Sequence, residues 1–332
     1  SQTICEGDTP AALTTLSAPS GDSGFALLWE DSSDGINFNP IVGETTDTYS
    51  PPALTADTWY RIAVTSVLGS ASCTEYTNSV KITVNNFDPG SIGTAQTICE
   101  NTAPVAFTSV SPTGDGTFTY RWFGRTESGA YAPIGGATGE TYNPGILSED
   151  MWYYREVTST LGGFTCTENT NEVIITVNNF SPGSIRADEA ICEGSAASIL
   201  VSDAAVVSEV GAVITYQWQE SSNGLAFTDI NLATSETYDP GSITEDTWFR
   251  REVISTMGTN VCTEVTNFVK VTVINFSPGS IGGDQTICEG TTPAAFTSVA
   301  ASGDGTKAYQ WEYSTGGAGG PWADAPGTST NA

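Results

Sequence analysis

Seven cysteines are the residues most able to do chemistry in this chain of 332 residues, and their spacing decides which chemistry is open to them. Cys5, Cys99, Cys192 and Cys288 each precede a glutamate, while Cys73, Cys166 and Cys262 each open a Cys-Thr-Glu triplet. No two stand in C-x-x-C spacing, and the chain contains no histidine. Zinc sites draw on closely spaced Cys and His ligands, and Cys-His or Ser-His-Asp catalysis needs an imidazole. We therefore assign no catalytic residue and no metal ligand, and read the thiols as structural disulfides. Two pairings suit the spacing. Within repeats the pairs are Cys5–Cys73, Cys99–Cys166 and Cys192–Cys262, with the partner of Cys288 outside the chain; between repeats they are Cys73–Cys99, Cys166–Cys192 and Cys262–Cys288. We favour the first set, because closing a loop of about 70 residues restrains the unfolded chain by ~4 kcal/mol in the entropy model.

Carboxylates are the other chemically capable groups. Asp22, Asp115 and Asp304 lie in Gly-rich loops, and Glu100 and Glu168 stand beside cysteines. Calcium requires six or more oxygens in one place, and no D-x-D-x-D-G loop occurs. Asp88 of one junction becomes Ser181 and Ser277 at the others, which argues against junction calcium. We expect solvated turn acids and no cofactor, calcium being the one ion worth testing. A Lys–Asn isopeptide staple is excluded as a general device, since Ile174 replaces the lysine found at Lys81 and Lys270. Against 38 acidic residues stand 10 basic ones, a net charge of -28. Phosphate backbones are bound by displacing counterions with Lys and Arg, so nucleic acid is excluded as a partner.

The elements that position these groups come from a repeat. "QTICEGDTPAALT" at Gln2 returns as "QTICENTAPVAFT" at Gln96, "EAICEGSAASIL" at Glu189 and "QTICEGTTPAAFT" at Gln285. The spacing divides the chain into 1–86, 87–179, 180–275 and 276–332, the last stopping before its second cysteine. Ser1–Glu6 aligns with the interior of later repeats, so we expect the natural N-terminus upstream and read nothing from the lack of a signal peptide. Val80, Ile82 and Val84 alternate with Lys81 and Thr83, and Phe118, Tyr120 and Trp122 alternate likewise, which predicts strands with one buried face. Asp34-Gly35, Ser128-Gly129 and Asn223-Gly224 predict tight hairpin turns with positive φ. Trp29, Trp122, Trp218 and Trp311 are expected in the core, and Trp59, Trp152 and Trp248 at the corner between two later strands. About seven short strands per repeat and no helical periodicity predict an all-β fold: tandem immunoglobulin-like or fibronectin III-like β-sandwiches. Between repeats runs an Asn-Phe-x-Pro-Gly-Ser-Ile junction, with Phe87, Pro89 and Ile92, then Phe180, Pro182 and Ile185, then Phe276, Pro278 and Ile281. A flexible linker needs no aromatic, so we expect an apolar plug, a fixed angle at each junction and an extended array.

The stretch "GSIGTAQTICE…YRWFGRTESGAYAPIGGATGETYNPGILSEDMWYYREVTSTLGGFTCTENTNEVIITVNNF" resembles the PKD-like or Ig-like tandem repeats of very large surface proteins of gliding Bacteroidota. That resemblance spans the whole chain. It implies export by the type 9 secretion system, display on the bacterial cell surface, coupling to gliding machinery through the parent protein, and an adhesive role toward an extracellular surface or polysaccharide. Residue chemistry reaches only an extracellular β-repeat array whose partners include its own neighbouring repeats. A glycan-binding module and the stalk of a secreted enzyme are the alternatives. Core residues must recur whereas binding residues need not, which makes the unshared Tyr131 and Trp322 the better ligand candidates.

Overall fold

The computed structural model describes residues 1–21 and 24–325, and its chain divides into two bodies, Ser1–Asn179 and Phe180–Ala332. Among the described residues there are strands and turns but no helix. The first body holds repeats 1 and 2.

Repeat 1 is organised by β1 (Gln2–Cys5), β2 (Phe25–Ser32), β3 (Thr58–Leu68), β4 (Ala71–Tyr76) and β5 (Val80–Asn85). The long β3 pairs antiparallel with β2 along one edge. Its other edge is shared: Thr58–Tyr60 pairs with β5, and Ala63–Leu68 with β4. β1 lies parallel to β5, with Cys5 opposite Asn85. The chain then forms β6 (Phe87–Asp88) and β7 (Ser91–Ile92) and enters repeat 2. That repeat contains β8 (Gln96–Cys99), β9 (Ser109–Val110), β10 (Thr113–Gly114), β11 (Thr117–Thr126), β12 (Met151–Leu161), β13 (Phe164–Asn169) and β14 (Val173–Asn178). Its large sheet repeats the order of repeat 1. The opposing layer is made of short pairs, among them β7 on β9 and β6 on β10.

Period-two burial explains the sandwich. Along β12, Tyr153, Arg155, Val157 and Ser159 are buried while their neighbours are half-exposed. Trp122 is the centre of the repeat 2 core, stacked on Phe107 and packed with Tyr153, Val173, Ile175 and Val177. Its indole N–H donates to the Gly139 carbonyl at 2.9 Å, as Trp29 does to Thr46 and Trp218 to Ser235 at the same distance. A buried tryptophan thereby keeps its one donor satisfied.

Two local expectations are corrected. Gly35 and Gly224 have φ of +71° and +70°, but Gly129 stays outside the left-handed region. The loop between β2 and its short partner Asn39–Pro40 is also longer than two residues. Asp34 holds it together: its Oδ1 accepts from the Ile36 and Asn37 amides, both at 2.8 Å. Those donors hold its carboxyl well below the usual range. Trp59 and Trp248 do not face the corner. They lie half-buried on the outer face, packed over the Gly35 and Gly224 turns and beside Lys81 and Lys270.

The second body begins with repeat 3, which has the same sheet order: β15 (Glu189–Cys192), β16 (Val213–Ser221), β17 (Thr247–Met257), β18 (Asn260–Val265) and β19 (Val269–Ile274). Trp218, Phe249 and Val271 form its core. Residues 277–325 contribute only short strand pairs, and Trp311 there is only half-buried.

Candidate functional site: a covalent joint between the first two repeats

Strand register gives each repeat two poles. β5 runs from Val80 to Asn85 toward the point where the chain leaves repeat 1, so Cys5, opposite Asn85, sits at this distal pole. Cys73 pairs with Ser66, eight positions along β3 from Thr58, which itself pairs with Ile82, three positions short of Asn85. At ~3.3 Å per residue the two cysteines are on the order of 35 Å apart along the sheet. A disulfide needs Cα atoms within about 7 Å. The pair Cys5–Cys73 is therefore geometrically excluded.

Cys5 instead bonds Cys166, with a Cα–Cα distance of 5.6 Å and a sequence separation of 161. Cys166 pairs with Ser159 and occupies the proximal pole of repeat 2, which meets the distal pole of repeat 1. This bridge overturns Cys5–Cys73 and Cys99–Cys166 together. Cys192 is an exposed free thiol while Cys262 is disulfide-bonded, so Cys192–Cys262 does not form either. The alternative set fails as well, because Cys73 and Cys288 are exposed free thiols. Cys99 is disulfide-bonded. Disulfides persist in oxidising compartments, which points to an extracellular setting.

Around the bridge the joint is both apolar and polar. Phe87 is buried against Val157 and Cys166, with Cys5, Phe118 and Tyr120 packed alongside; the Phe87 and Phe118 rings lie 5.8 Å apart. Beside them Asn85 is buried, donating from Nδ2 to the Ser159 carbonyl at 3.3 Å. Ser159 Oγ lies 2.9 Å from Asn85 Oδ1 and 2.6 Å from the Asp115 carbonyl. The Asp115 amide donates to the Asn86 carbonyl at 2.9 Å, which gives the Gly-Asp-Gly loop a structural role. Asn171 grips the junction twice: its Oδ1 accepts from the Ile92 amide at 2.9 Å and its Nδ2 donates to the Ile92 carbonyl at 3.1 Å. Arg155 is fully buried and donates to the carbonyls of Pro89 (2.9 Å) and Glu140 (2.8 Å). Burial depresses its pKa, countered by Tyr120 and Glu140. Gly90 makes the turn at φ +69°, where a Cβ would meet the Val110 carbonyl at 2.2 Å.

The junction residues differ in environment. Phe87 and Ile92 are buried and Pro89 is half-buried. Ile185 is buried, with Phe180 and Pro182 half-buried. Phe276 and Ile281 are 57% and 65% exposed, and Pro278 is exposed. Residues 277–332 contain no Asp-x-Trp segment, whose equivalent strand covers the junction in repeat 2.

Several residues that matter here escaped the sequence reading. Arg155, Ser159 and Asn171 recur as Arg251, Ser255 and Asn267, and recurrence was the available signal. The aspartate of the Asp-x-Trp motif is another. Asp57, Asp150 and Asp246 each accept from a last-strand amide: Val84 at 2.8 Å, Val177 at 2.7 Å and Val273 at 2.8 Å. Lys270 bonds Asp246 at 2.6 Å and, with the Val273 amide, lowers its pKa.

Of the acids considered for calcium, Asp22 lies outside the described residues. Asp304 is engaged with Asn275, accepting its amide at 3.1 Å and donating to its carbonyl at 2.8 Å. Glu168 stands near Glu6 and Asp88, and partial burial followed by these two charges pushes its pKa up. Among the described residues no group of three or more acids, cysteines or histidines is arranged to hold a metal ion.

Aromatic side chains gather on the outer sheet faces. In repeat 2, Tyr154 stacks on Phe123 at 5.0 Å and meets Tyr131 edge-on at 4.6 Å, while Arg125 lies over Tyr131 at 5.2 Å and Trp152 at 4.6 Å. Tyr131 donates to Glu172, and burial with that bond raises its pKa to about 12. In repeat 1, Arg61 lies between Phe38 at 4.0 Å and Tyr76 at 3.9 Å. In repeat 3, Arg250 covers Phe227 at 4.2 Å. Trp322 is 55% exposed in a groove beside Trp311.

Such sheets, repeated with the same strand order, define a tandem array of immunoglobulin-like β-domains. The family "Domain of unknown function (DUF8696)" matches residues 1–86, 88–179, 181–275 and 277–332, and the chain belongs to it. No curated protein matches the chain. Among solved structures it is similar to three N-terminal domains of the Highly Immunogenic Outer Capsid protein of bacteriophage RB49. The identity there is 13% and the TM-score 0.39, covering 82% of this chain and 96% of that one. It is also similar to titin domains I67–I69 as an E-to-A variant, at 10% identity and TM-score 0.35, covering 76% and 89%. A third is Sidekick-1 immunoglobulin domains 1–5, at 13% identity and TM-score 0.26, covering 85% and 58%.

Proposed function

We propose that this chain is a non-catalytic segment of a long cell-surface adhesin or filament, in which the repeats act as disulfide-locked spacers for surface attachment or gliding. The observation that carries the reading is the Cys5–Cys166 bridge, which ties one repeat to the next. A bond that only stabilised a domain would close within it. One that crosses a joint transmits load past it. The resemblance to the repeats of the SprB gliding adhesin supports export by the type 9 secretion system and display on a bacterial surface. A stalk of a secreted enzyme would use the same joint, and a catalytic domain elsewhere in the parent chain would mark it.

Glycan binding is the weaker reading, because sugars stack on open aromatic faces. Here guanidinium groups lie over those faces in each of the first three repeats, at Arg61, Arg125 and Arg250. The test is an antibody against this chain applied to intact cells of its source. Surface labelling together with loss of attachment or gliding is the expected result. Labelled cells that attach and move normally would sink the proposal, and retention on a glycan array would favour the module.

A further inference from the structure

Repeat 1 carries an open copy of the pocket that repeat 2 has filled. A groove of about 430 Å³ runs along its proximal pole, lined among others by Phe25, Leu27, Val64, Ser66 and Cys73. By repeat alignment these are the counterparts of Phe118, Tyr120, Val157, Ser159 and Cys166. In repeat 2 that set encloses Phe87, is bonded by Asn85 and is bridged by Cys5. The contrast between equivalent residues is direct: Val157 is fully buried and Cys166 is 4% exposed, whereas Val64 is half-buried and Cys73 is an exposed free thiol. Asn171 holds Ile92 through both its amide and its carbonyl, while its counterpart Asn78 offers its Nδ2 only to the Ser79 carbonyl at 3.5 Å. Ser109 and Val110 pair with the junction strand, whereas their counterparts Thr15 and Leu16 lie in no strand.

We infer that this groove is a docking site for the distal pole of a further repeat of the same kind, whose junction phenylalanine fills the space between Phe25 and Val64 and whose first cysteine bonds Cys73. The spacer reading underlies this inference, which adds the partner and the contact. The covalent step is a thiol–disulfide exchange with a disulfide oxidant such as oxidised glutathione. Cys73 thiolate attacks the oxidant and releases one thiol, and the incoming cysteine thiolate then attacks Cys73 sulfur and releases the second. Two protein thiols lose two electrons and two protons, and one oxidant disulfide becomes two thiols. Ile62 stands in place of Arg155. The new joint therefore lacks the donor that Arg155 offers the Pro89 carbonyl.

The experiment places a second copy of residues 1–94 ahead of Ser1 of the full chain, so that Thr94 runs into Ser1 as it runs into Ala95. Oxidation with glutathione disulfide and non-reducing peptide mapping should find Cys5 of the added copy joined to Cys73. Alkylation of Cys73 under native conditions should slow at least tenfold relative to the original chain. A companion protein with Cys5→Ser in the added copy separates docking from bonding: Cys73 stays protected by burial alone. Adding Phe87→Asp in that copy should restore its reactivity. If Cys73 alkylates at its original rate in both extended proteins while Cys5–Cys166 of the original repeats stays intact, the inference is wrong. That outcome leaves surface labelling by antibody untouched, so the spacer reading is judged separately.

Discussion

The core of repeat 2 and the joint before it bury comparable side chains by different means. In the core, Trp122, Phe107, Tyr153 and Ile175 pack as an apolar cluster whose one indole donor is satisfied. At the joint, Phe87 packs on Val157, Cys166, Phe118 and Tyr120 beside a covalent bond, while Asn85 and Ser159 bond each other and Asn171 and Arg155 hold the backbone of Ile92 and Pro89. Apolar burial is non-directional and holds a domain together whatever its neighbour does. Hydrogen bonds with fixed geometry and a disulfide set an angle as well as an affinity. The core thus supplies stability, and the joint supplies orientation.

Replacing the core centre should produce the largest effect. Trp122→Ala removes a fully buried indole and strands the Gly139 carbonyl, and is expected to cost about 3–5 kcal/mol. Urea unfolding followed by fluorescence from the remaining tryptophans reads this. A loss below about 2 kcal/mol would mean that the repeat leans on its neighbour more than on its own core.

The joint should be separable from the cores. The pair Cys5→Ser with Cys166→Ser removes the bond without touching either tryptophan cluster. We expect a loss of about 2–4 kcal/mol, with native near-ultraviolet dichroism retained and the unfolding of repeats 1 and 2 no longer coincident. Calorimetry checks both points. Coincident unfolding in the double variant would show that the noncovalent contacts of the joint, Phe87 and the hydrogen bonds together, suffice to couple the repeats.

Much of the core was legible because it recurs. The alternation around Trp122 and Val173, Ile175 and Val177 marks buried faces in sequence, and those residues are buried. The disulfide pairing was not legible, because recurrence fixes which cysteines are equivalent but not which pole each one occupies. Pole is set by register: β1 runs parallel to the last strand, which sends Cys5 away from Cys73. Loop-closure entropy, which favours tying the first cysteine of a repeat to the second, has no means of finding this. Asn171 and Arg155 were equally hidden, since an exposed-looking polar residue acquires its role only from the neighbour it holds.

A smaller substitution sharpens the contrast between filled and open poles. Asn171→Leu leaves the Ile92 amide and carbonyl without their partner and should cost about 1–3 kcal/mol. The equivalent Asn78→Leu in repeat 1 should change stability by less than about 0.5 kcal/mol, because Asn78 holds only a neighbouring carbonyl. Chemical denaturation of the two variants side by side gives the comparison, and equal losses would show that this asparagine stabilises its own repeat rather than the junction.

The smallest effect is electrostatic. Glu168 has its pKa raised by partial burial and by Glu6 and Asp88, so the folded protein binds its proton more tightly than the unfolded chain. Stability from this group is fully present below the ordinary carboxylate pKa and is lost as pH rises through the raised value. At neutral pH the charge is therefore a liability, one that solvent screening holds to a few tenths of a kcal/mol. Glu168→Gln should raise stability slightly at pH 7 and flatten the fall in stability that sets in as pH rises above the ordinary carboxylate pKa. Added salt should stabilise the native protein more than the variant, because it screens Glu6 and Asp88 from the charge that the variant lacks. Thermal melts at low and high salt read both. A variant less stable than the native protein at pH 7 would mean that Glu168 anchors the joint, and that the junction tolerates its acids by bonding them rather than by enduring their repulsion.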